Sequence, residues 1–329
     1  MFTLRRRLVL VHAALAAAAL IAPAAPAVAQ AGYPSKPITL VVPFTAGSGT
    51  DVIARVYAEQ LAKLLGQPMV VDNRPGAGGT LGAAQVAAAV PDGHTVLIHS
   101  AGHVANAALY PKLKYDTLKD FTPVAMLATL PNVLVVSSAS RIASVEELVK
   151  RAKASPGRLS YASAGNGSAT HINAEKFRIA AGLQATHVPY RGTPPALTDL
   201  VGGQVDWFFA PLVSALPLIQ EGKLTPLAVG SPARSAALPQ VPTTVEAGYA
   251  GSDYTFWVGM LLPAKTPAAV VERLSAATAQ ARQAPAVRAA LDKLGAEVPS
   301  LAQPAFAQQL QQEMASTAAL VHKAGIRLE

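Results

Sequence analysis

Ile38-Thr39-Leu40-Val41-Val42-Pro43-Phe44-Thr45-Ala46-Gly47-Ser48-Gly49-Thr50-Asp51 is the stretch from which the fold is read. Five consecutive aliphatic or β-branched residues closed by a proline describe a strand buried on both faces, the kind that parallel sheets use. A loop of glycines and hydroxyls follows it. Thr50 can then cap a helix and Asp51 suits its positive N-terminus, and the apolar stripe Val52, Ile53, Val56, Leu61, Leu64 and Leu65 ends at Gly66.

The same order recurs along the chain. A strand over residues 69–71 leads through Arg74-Pro75-Gly76-Ala77-Gly78-Gly79 into an alanine-rich helix over 80–90, and residues 95–100 form the next strand. Further strands are predicted over 124–128, 133–136, 159–163, 187–190, 205–209, 227–230 and 254–258. Helices open at the Ser144-x-x-Glu147 capping box, near Thr170, at Thr193-Pro194-Pro195, at Thr266-Pro267, and near Pro285 and Pro304. Strand and helix alternating in this way predict an α/β protein with mainly parallel sheets.

The 329 residues suffice for two compact domains. With 51% hydrophobic and 14% charged side chains the chain is the opposite of a disordered one. It has no cysteine, which excludes disulfides, thiolate metal sites, iron–sulfur clusters and a cysteine nucleophile. The net charge of +8 hints at a polyanion partner until the N-terminus is read. Arg5-Arg6-Arg7, the apolar run Leu8 to Ile21 and Ala27-Val28-Ala29 form a secretory signal peptide over residues 1–29, cleaved after Ala29. That run falls short of the roughly 20 residues a spanning helix needs. The leader's three arginines account for three of the eight charges, so the mature chain carries +5. A periplasmic location by the general secretory route is expected, a loose twin-arginine signal being the alternative, and nucleic acid is not an expected partner.

Three loops stand between a predicted strand end and a predicted helix start: residues 44–50, 100–103 and 163–170. Glycine lets backbone approach a ligand, and helix N-termini offer free N–H donors with a positive dipole end, so such loops suit an anion without a cation. In open α/β sheets ligands sit at these strand ends. No lysine follows the glycines as a nucleotide-binding P-loop requires, and Gly47-Ser48-Gly49 lacks the third glycine of a dinucleotide fingerprint. Neither Ser48 nor Ser168 sits in a Gly-x-Ser-x-Gly elbow, so no enzyme is predicted. His94, His99 and His103 read as solvated or core histidines rather than metal ligands, and no cofactor is expected. Arg191 suits either an anionic ligand or plain surface. Among Trp207, Phe208, Phe209 and Trp257, strand alternation lets at most half face a cleft.

Tyr33-Pro34-Ser35-Lys36-Pro37-Ile38, Val42-Pro43-Phe44 with Gly49-Thr50-Asp51, Asn73-Arg74-Pro75-Gly76-Ala77-Gly78-Gly79, Pro91-Asp92-Gly93, Leu109-Tyr110-Pro111-Lys112-Leu113, Asn166-Gly167 with His171, Val188-Pro189-Tyr190-Arg191-Gly192, and Leu216-Pro217 before Gly222-Lys223-Leu224 carry a resemblance in order and spacing. The chain resembles the Bug family, periplasmic substrate-binding proteins of tripartite tricarboxylate transporters. The resemblance implies a two-domain type II periplasmic binding protein fold, with residues 30–129 plus 257–329 as one domain and 130–256 as the other. It implies a monomer that holds a small carboxylate in the cleft between the domains and delivers it to the membrane components of the transporter. A soluble receptor feeding a membrane sensor, or less readily an enzyme acting on a carboxylate, are the alternatives.

Carried over by position, Phe44, Gly47, Ser48, Gly49 and Thr50 would form the first loop of the site, with Ser100 and His103 as a second contact. Ala164, Asn166, Gly167, Ser168 and Thr170 would form the opposing jaw, which Gly192 and Thr193 complete. Ala210 stands where the family often has an acid. That acid can pair with an ammonium group, so its absence implies a carboxylate without an amino group.

Overall fold

The computed structural model describes residues 32–299, 301–324 and 326, so the signal-peptide reading lies outside the described residues. Lys36–Glu329 forms one compact unit, and all that follows concerns it. Ten strands form two five-stranded sheets. The first is β2-β1-β3-β10-β4, from β1 (Ile38–Val42), β2 (Met69–Asn73), β3 (Thr95–Ser100), β4 (Phe121–Leu130) and β10 (Phe256–Pro263). The second is β7-β6-β8-β5-β9, from β5 (Asn132–Ser137), β6 (Ser160–Ser163), β7 (Thr186–Pro189), β8 (Trp207–Pro211) and β9 (Leu224–Val229).

The sheets are mixed, which corrects the expectation of mainly parallel pairing. In each sheet four strands share a direction and a fifth runs against its two neighbours: β10 between β3 and β4, β5 between β8 and β9. These are the strands by which the chain arrives from the other sheet. β5 follows β4 across the single residue Pro131, and β10 is reached after residues 230–255. A strand entered without a crossover helix is not bound to run parallel.

Local signals explain most elements. α1 (Gly49–Leu65) buries Ile53, Tyr57 and Leu61 and stops at left-handed Gly66, but its N-cap position is Ser48 rather than Thr50. α2 (Thr80–Ala87) and α3 (Gly102–Leu109) complete the first half. The capping box opens α4 (Val145–Ala154): Ser144 Oγ accepts the Glu147 N–H at 3.1 Å, and Glu147 Oε2 accepts the Ala143 N–H at 3.0 Å. Ser168 caps α5 (Ala169–Ala181) in the same way, accepting the His171 N–H at 3.3 Å. α6 (Thr193–Val201) carries proline in its first turn, and α7 (Leu212–Gln220) follows β8 directly. The C-terminal helices are α8 (Ala268–Gln283), α9 (Pro285–Lys293) and α10 (Gln303–Ala324).

Period-two burial divides the second sheet's core. Leu134, Val136, Trp207 and Phe209 pack on one face, Val133, Val135, Phe208 and Ala210 on the other. All eight residues of β10 are buried. The sequence pattern places this strand over 254–258, but it runs from Phe256 past Gly259 to Pro263, paired with β4 along its length, and Gly259 leaves room for the Phe306 ring of α10, into which a Cβ would run. None of the four aromatics considered as a ligand wall reaches a cleft. Trp207, Phe208, Phe209 and Trp257 are fully buried, and Trp257 Nε1 donates to Glu313 Oε2 at 2.7 Å.

Candidate functional site

The strand ends of both sheets face each other, and their loops meet. The first loop is organised from beneath by Asp51, whose buried carboxylate accepts from Gly47 N (2.9 Å), Arg55 Nε (3.0 Å) and Asn73 Nδ2 (2.9 Å). Burial pushes this carboxyl up, and the hydrogen bonds from Arg55, Gly47 and Asn73 outweigh it and hold it below the usual range. Asp51→Asn should therefore cost about 1–3 kcal/mol, because its one amide oxygen replaces only one carboxylate oxygen and its NH2 then faces a donor, either Asn73 Nδ2 or Gly47 N and Arg55 Nε. An unchanged midpoint in urea denaturation at neutral pH would contradict this account of the loop.

The opposing loop, residues 164–168, is tied to its own helix. Ala164 N donates to Thr170 Oγ1 (2.9 Å), Gly167 N to His171 Nδ1 (3.1 Å) and Gly165 N to Ser163 Oγ (3.0 Å). Hydrogen bonds then cross from one sheet's loops to the other's. Thr193 N donates to Ser48 Oγ at 3.2 Å, Ser214 Oγ to the Gly47 carbonyl at 3.0 Å, and Tyr110 Oη to the Asn166 carbonyl at 3.0 Å.

Between the loops lies a cavity of about 10 Å³, the room of a single water molecule. A small organic acid is several times larger, so its entry requires the loops to part at these hydrogen bonds. Phe44, Ser48, Gly49, Thr50 and Ser100 line the cavity from the first sheet. Ala164, Ser168, Thr170 and Thr193 line it from the second. The lining also contains Ala169, Pro211 and Phe256, which the sequence did not single out. Ala169 had a usable signal, as the first residue of a helix that follows a glycine loop. Pro211 and Phe256 had none, since their place depends on where the chain crosses between sheets.

The other candidates lie elsewhere. His103 is fully buried, its Nε2 3.3 Å from the Thr117 carbonyl oxygen and its ring stacked on Tyr115 and edge-on to Phe121. Burial pulls its pKa down to about 4. It supports the first sheet's loops from behind instead of touching the cavity. His99 is likewise buried, 5.1 Å from His103 between ring centroids. Ala210 sits in the core with Phe208. Gly47, Gly167 and Gly192 serve the approach of the loops: a Cβ on Gly192 would run into Thr45 Oγ1. Asn166 and exposed Arg191 wall a neighbouring cavity of about 140 Å³, which shares Phe44 and Ala164 with the first.

No charged side chain lines the inner cavity. Its polarity comes from six hydroxyls, on Ser48, Thr50, Ser100, Ser168, Thr170 and Thr193, all at most 2% exposed. It comes also from helix ends: α1, α5 and α6 begin at Gly49, Ala169 and Thr193, and all three residues are in the lining. Three positive dipole ends converging with hydroxyls suit an anion, with no cation in the lining.

Comparison with known proteins shows the family of the chain. The family model for "tripartite tricarboxylate transporter family receptor" matches residues 53–326. Protein BugT of Bordetella pertussis is 36% identical over 274 residues, 83% of this chain and 84% of its own. MatC of Rhodopseudomonas palustris, solved with bound malate, superposes with a TM-score of 0.84 at 38% identity, covering 88% of this chain and 100% of that one. A second R. palustris protein, solved with adipate, superposes with a TM-score of 0.86 at 34% identity, covering 90% and 99%. The chain belongs to the receptors of the tripartite tricarboxylate transporter family.

Proposed function

We propose that this chain is an exported, monomeric receptor that closes over a small carboxylate lacking an ammonium group and hands it to the membrane components of a tripartite transporter. The observation that carries the reading is the convergence of three helix N-termini and six buried hydroxyls on one uncharged cavity. Preorganised neutral donors suit an anion and offer nothing to a cation. The relatives solved with malate and adipate have the same fold at 34–38% identity, which supports a carboxylate as the anion.

In this reading residues 30–129 plus 257–329 form one domain and 130–256 the other. The strands support it: the first sheet takes all its strands from 38–130 and 256–263, the second all of its own from 132–229. The crossings at Pro131 and residues 230–255 act as the hinge. An acid anchors one domain, and rotation about the hinge brings up the hydroxyls of the other. Ala210, buried and apolar, supplies no partner for an amino group.

A thermal-shift screen followed by calorimetry tests the reading, using succinate, malate and adipate beside aspartate. A ligand bound only by the folded state raises the apparent melting temperature. At least one of the three acids should do so, and malate should bind more tightly than aspartate, its amino analogue. Tighter aspartate binding overturns the assignment of the ligand class; no shift with any carboxylate overturns the function.

A further inference from the structure

Behind the second loop of the site stands a column of buried rings. His171 and His187 stack with centroids 4.1 Å apart, Tyr161 stacks on His187 at 4.8 Å, and Trp207 on Tyr161 at 4.7 Å. The column touches the ligand loop at two backbone groups. His171 Nδ1 accepts the Gly167 N–H at 3.1 Å. Ser163 Oγ, 2.6 Å from His187 Nε2, accepts the Gly165 N–H. Gly167 stands at φ +77°, a conformation with no place in a helix or strand ladder, so the imidazole gives its N–H the acceptor that regular structure would. Since an N–H can only donate, Nδ1 is the bare nitrogen and the ring proton is on Nε2.

The surroundings keep both rings neutral. On the helix of His171, Glu175 is bound to Arg178 (2.7 and 2.8 Å) and to the Tyr161 hydroxyl, so its charge is already committed. From the neighbouring strands His171 meets Tyr161 of β6 and His187 of β7. Burial, with Arg178 adding to it, pulls His171 down to about 4; burial, with His171 adding to it, pulls His187 to about 3.

We propose that His171 is a positioning residue for ligand capture: its bare Nδ1 holds the Gly167 N–H and thereby the 164–168 loop that presents Ser168 and Thr170 to the ligand, and a proton on that nitrogen releases the loop. The inference rests on the carboxylate reading of the cavity. Its consequence is an acid limb of binding that belongs to the receptor and not to the ligand.

Two variants and malate as the probe test it. His171→Phe preserves a stacked ring and removes the acceptor, and should weaken malate about tenfold or more at pH 7. His171→Asn keeps a carbonyl acceptor that does not titrate at these pH values, and should stay within about threefold of wild type. Between pH 5 and pH 4, at the points where circular dichroism shows both proteins folded, wild type should lose about twofold more affinity than His171→Asn, since both share the titration of malate itself. Wild-type affinity in the Phe variant, or parallel pH profiles for wild type and Asn, overturns the proposal. Exchange of the Gly167 amide, read by NMR without ligand, should quicken in the Phe variant; unchanged exchange also overturns it. Wild type that binds no carboxylate at any pH sinks the reading of the cavity instead, while the amide exchange still decides whether His171 holds the loop.

Discussion

Gly78→Ala should yield a folded protein that has lost its ligand. Gly78 belongs to the Asn73–Gly79 loop of the first sheet and stands at φ +61°, where a Cβ would overlap the Asn166 carbonyl oxygen on the opposing loop. That carbonyl also receives the Tyr110 hydroxyl across the cleft. Nearby, a Cβ on Gly102 would come within 2.7 Å of the Gly167 carbonyl oxygen. The loops thus meet backbone to backbone, and a methyl group wedged there holds them apart. Strain at positive φ costs roughly 1–2 kcal/mol of stability, which a protein of this size tolerates. Loss of closure should cost at least about 3 kcal/mol of binding, or 100-fold in affinity, since donors on both sides must reach the same anion. Gly157→Ala is the control. It carries the same backbone strain at φ +76° with nothing within 4 Å of its Cβ. Calorimetry should find full affinity in Gly157→Ala and almost none in Gly78→Ala; equal affinities would show that this contact does not gate closure.

A second large effect is expected from acid. His99, His103, His171 and His187 are all held below their ordinary value by burial, His103 and His171 to about 4 and His187 to about 3. A folded-state pKa lowered in this way makes the unfolded chain the better proton binder between that pKa and about 6.5, so stability falls as pH falls through this window. By pH 4 His103, His171 and His187 cost about 3 kcal/mol each, a large share of the roughly 5–15 kcal/mol of a typical domain, and His99 acts in the same direction. Carboxylates such as Asp51, whose pKa is lowered, lose their contribution only further down. Urea midpoints should drop steeply between pH 6.5 and pH 4. A flat profile over that range would mean that these rings are protonated in the folded state or reach water there.

Much of this was legible in the chain. The run Ile38–Val42, the glycine loop and the helix after it gave a strand end and a helix start that line the inner cavity. The same reasoning applied to residues 163–170 found the loop that lines the cavity from the second sheet. What the residues withheld was direction and depth. Nothing local in Phe256–Pro263 says that it runs antiparallel to both neighbours, because that follows from a return across the whole second sheet. His103 stands beside a glycine in a promising loop, yet in helix α3 it turns inward onto Tyr115 and Phe121. Trp207 and Phe209 were separated from Phe208 by alternation, but a sheet covered on both faces buries all three. The family resemblance supplied the pairing of these two loops across one cavity, which no single loop encodes.

The placement of β10 also imposes a timetable on folding. β4 has no partner in its sheet except β10, and β3 gains its second neighbour only from the same strand. A chain emerging N-terminus first therefore holds β2, β1 and β3 as a partial sheet, with β4 unpaired, until residue 263 has arrived. The second sheet lies wholly within residues 132–229 and is complete well before. The half of the molecule made first is thus finished last. A fragment covering residues 36–255 should protect the amides of the second sheet from exchange and leave those of β4 open; protection of β4 in that fragment would refute the sequence of events. Until the last strand arrives, the exposed edges of β3 and β4 are where the incomplete chain is most prone to pair with a neighbour.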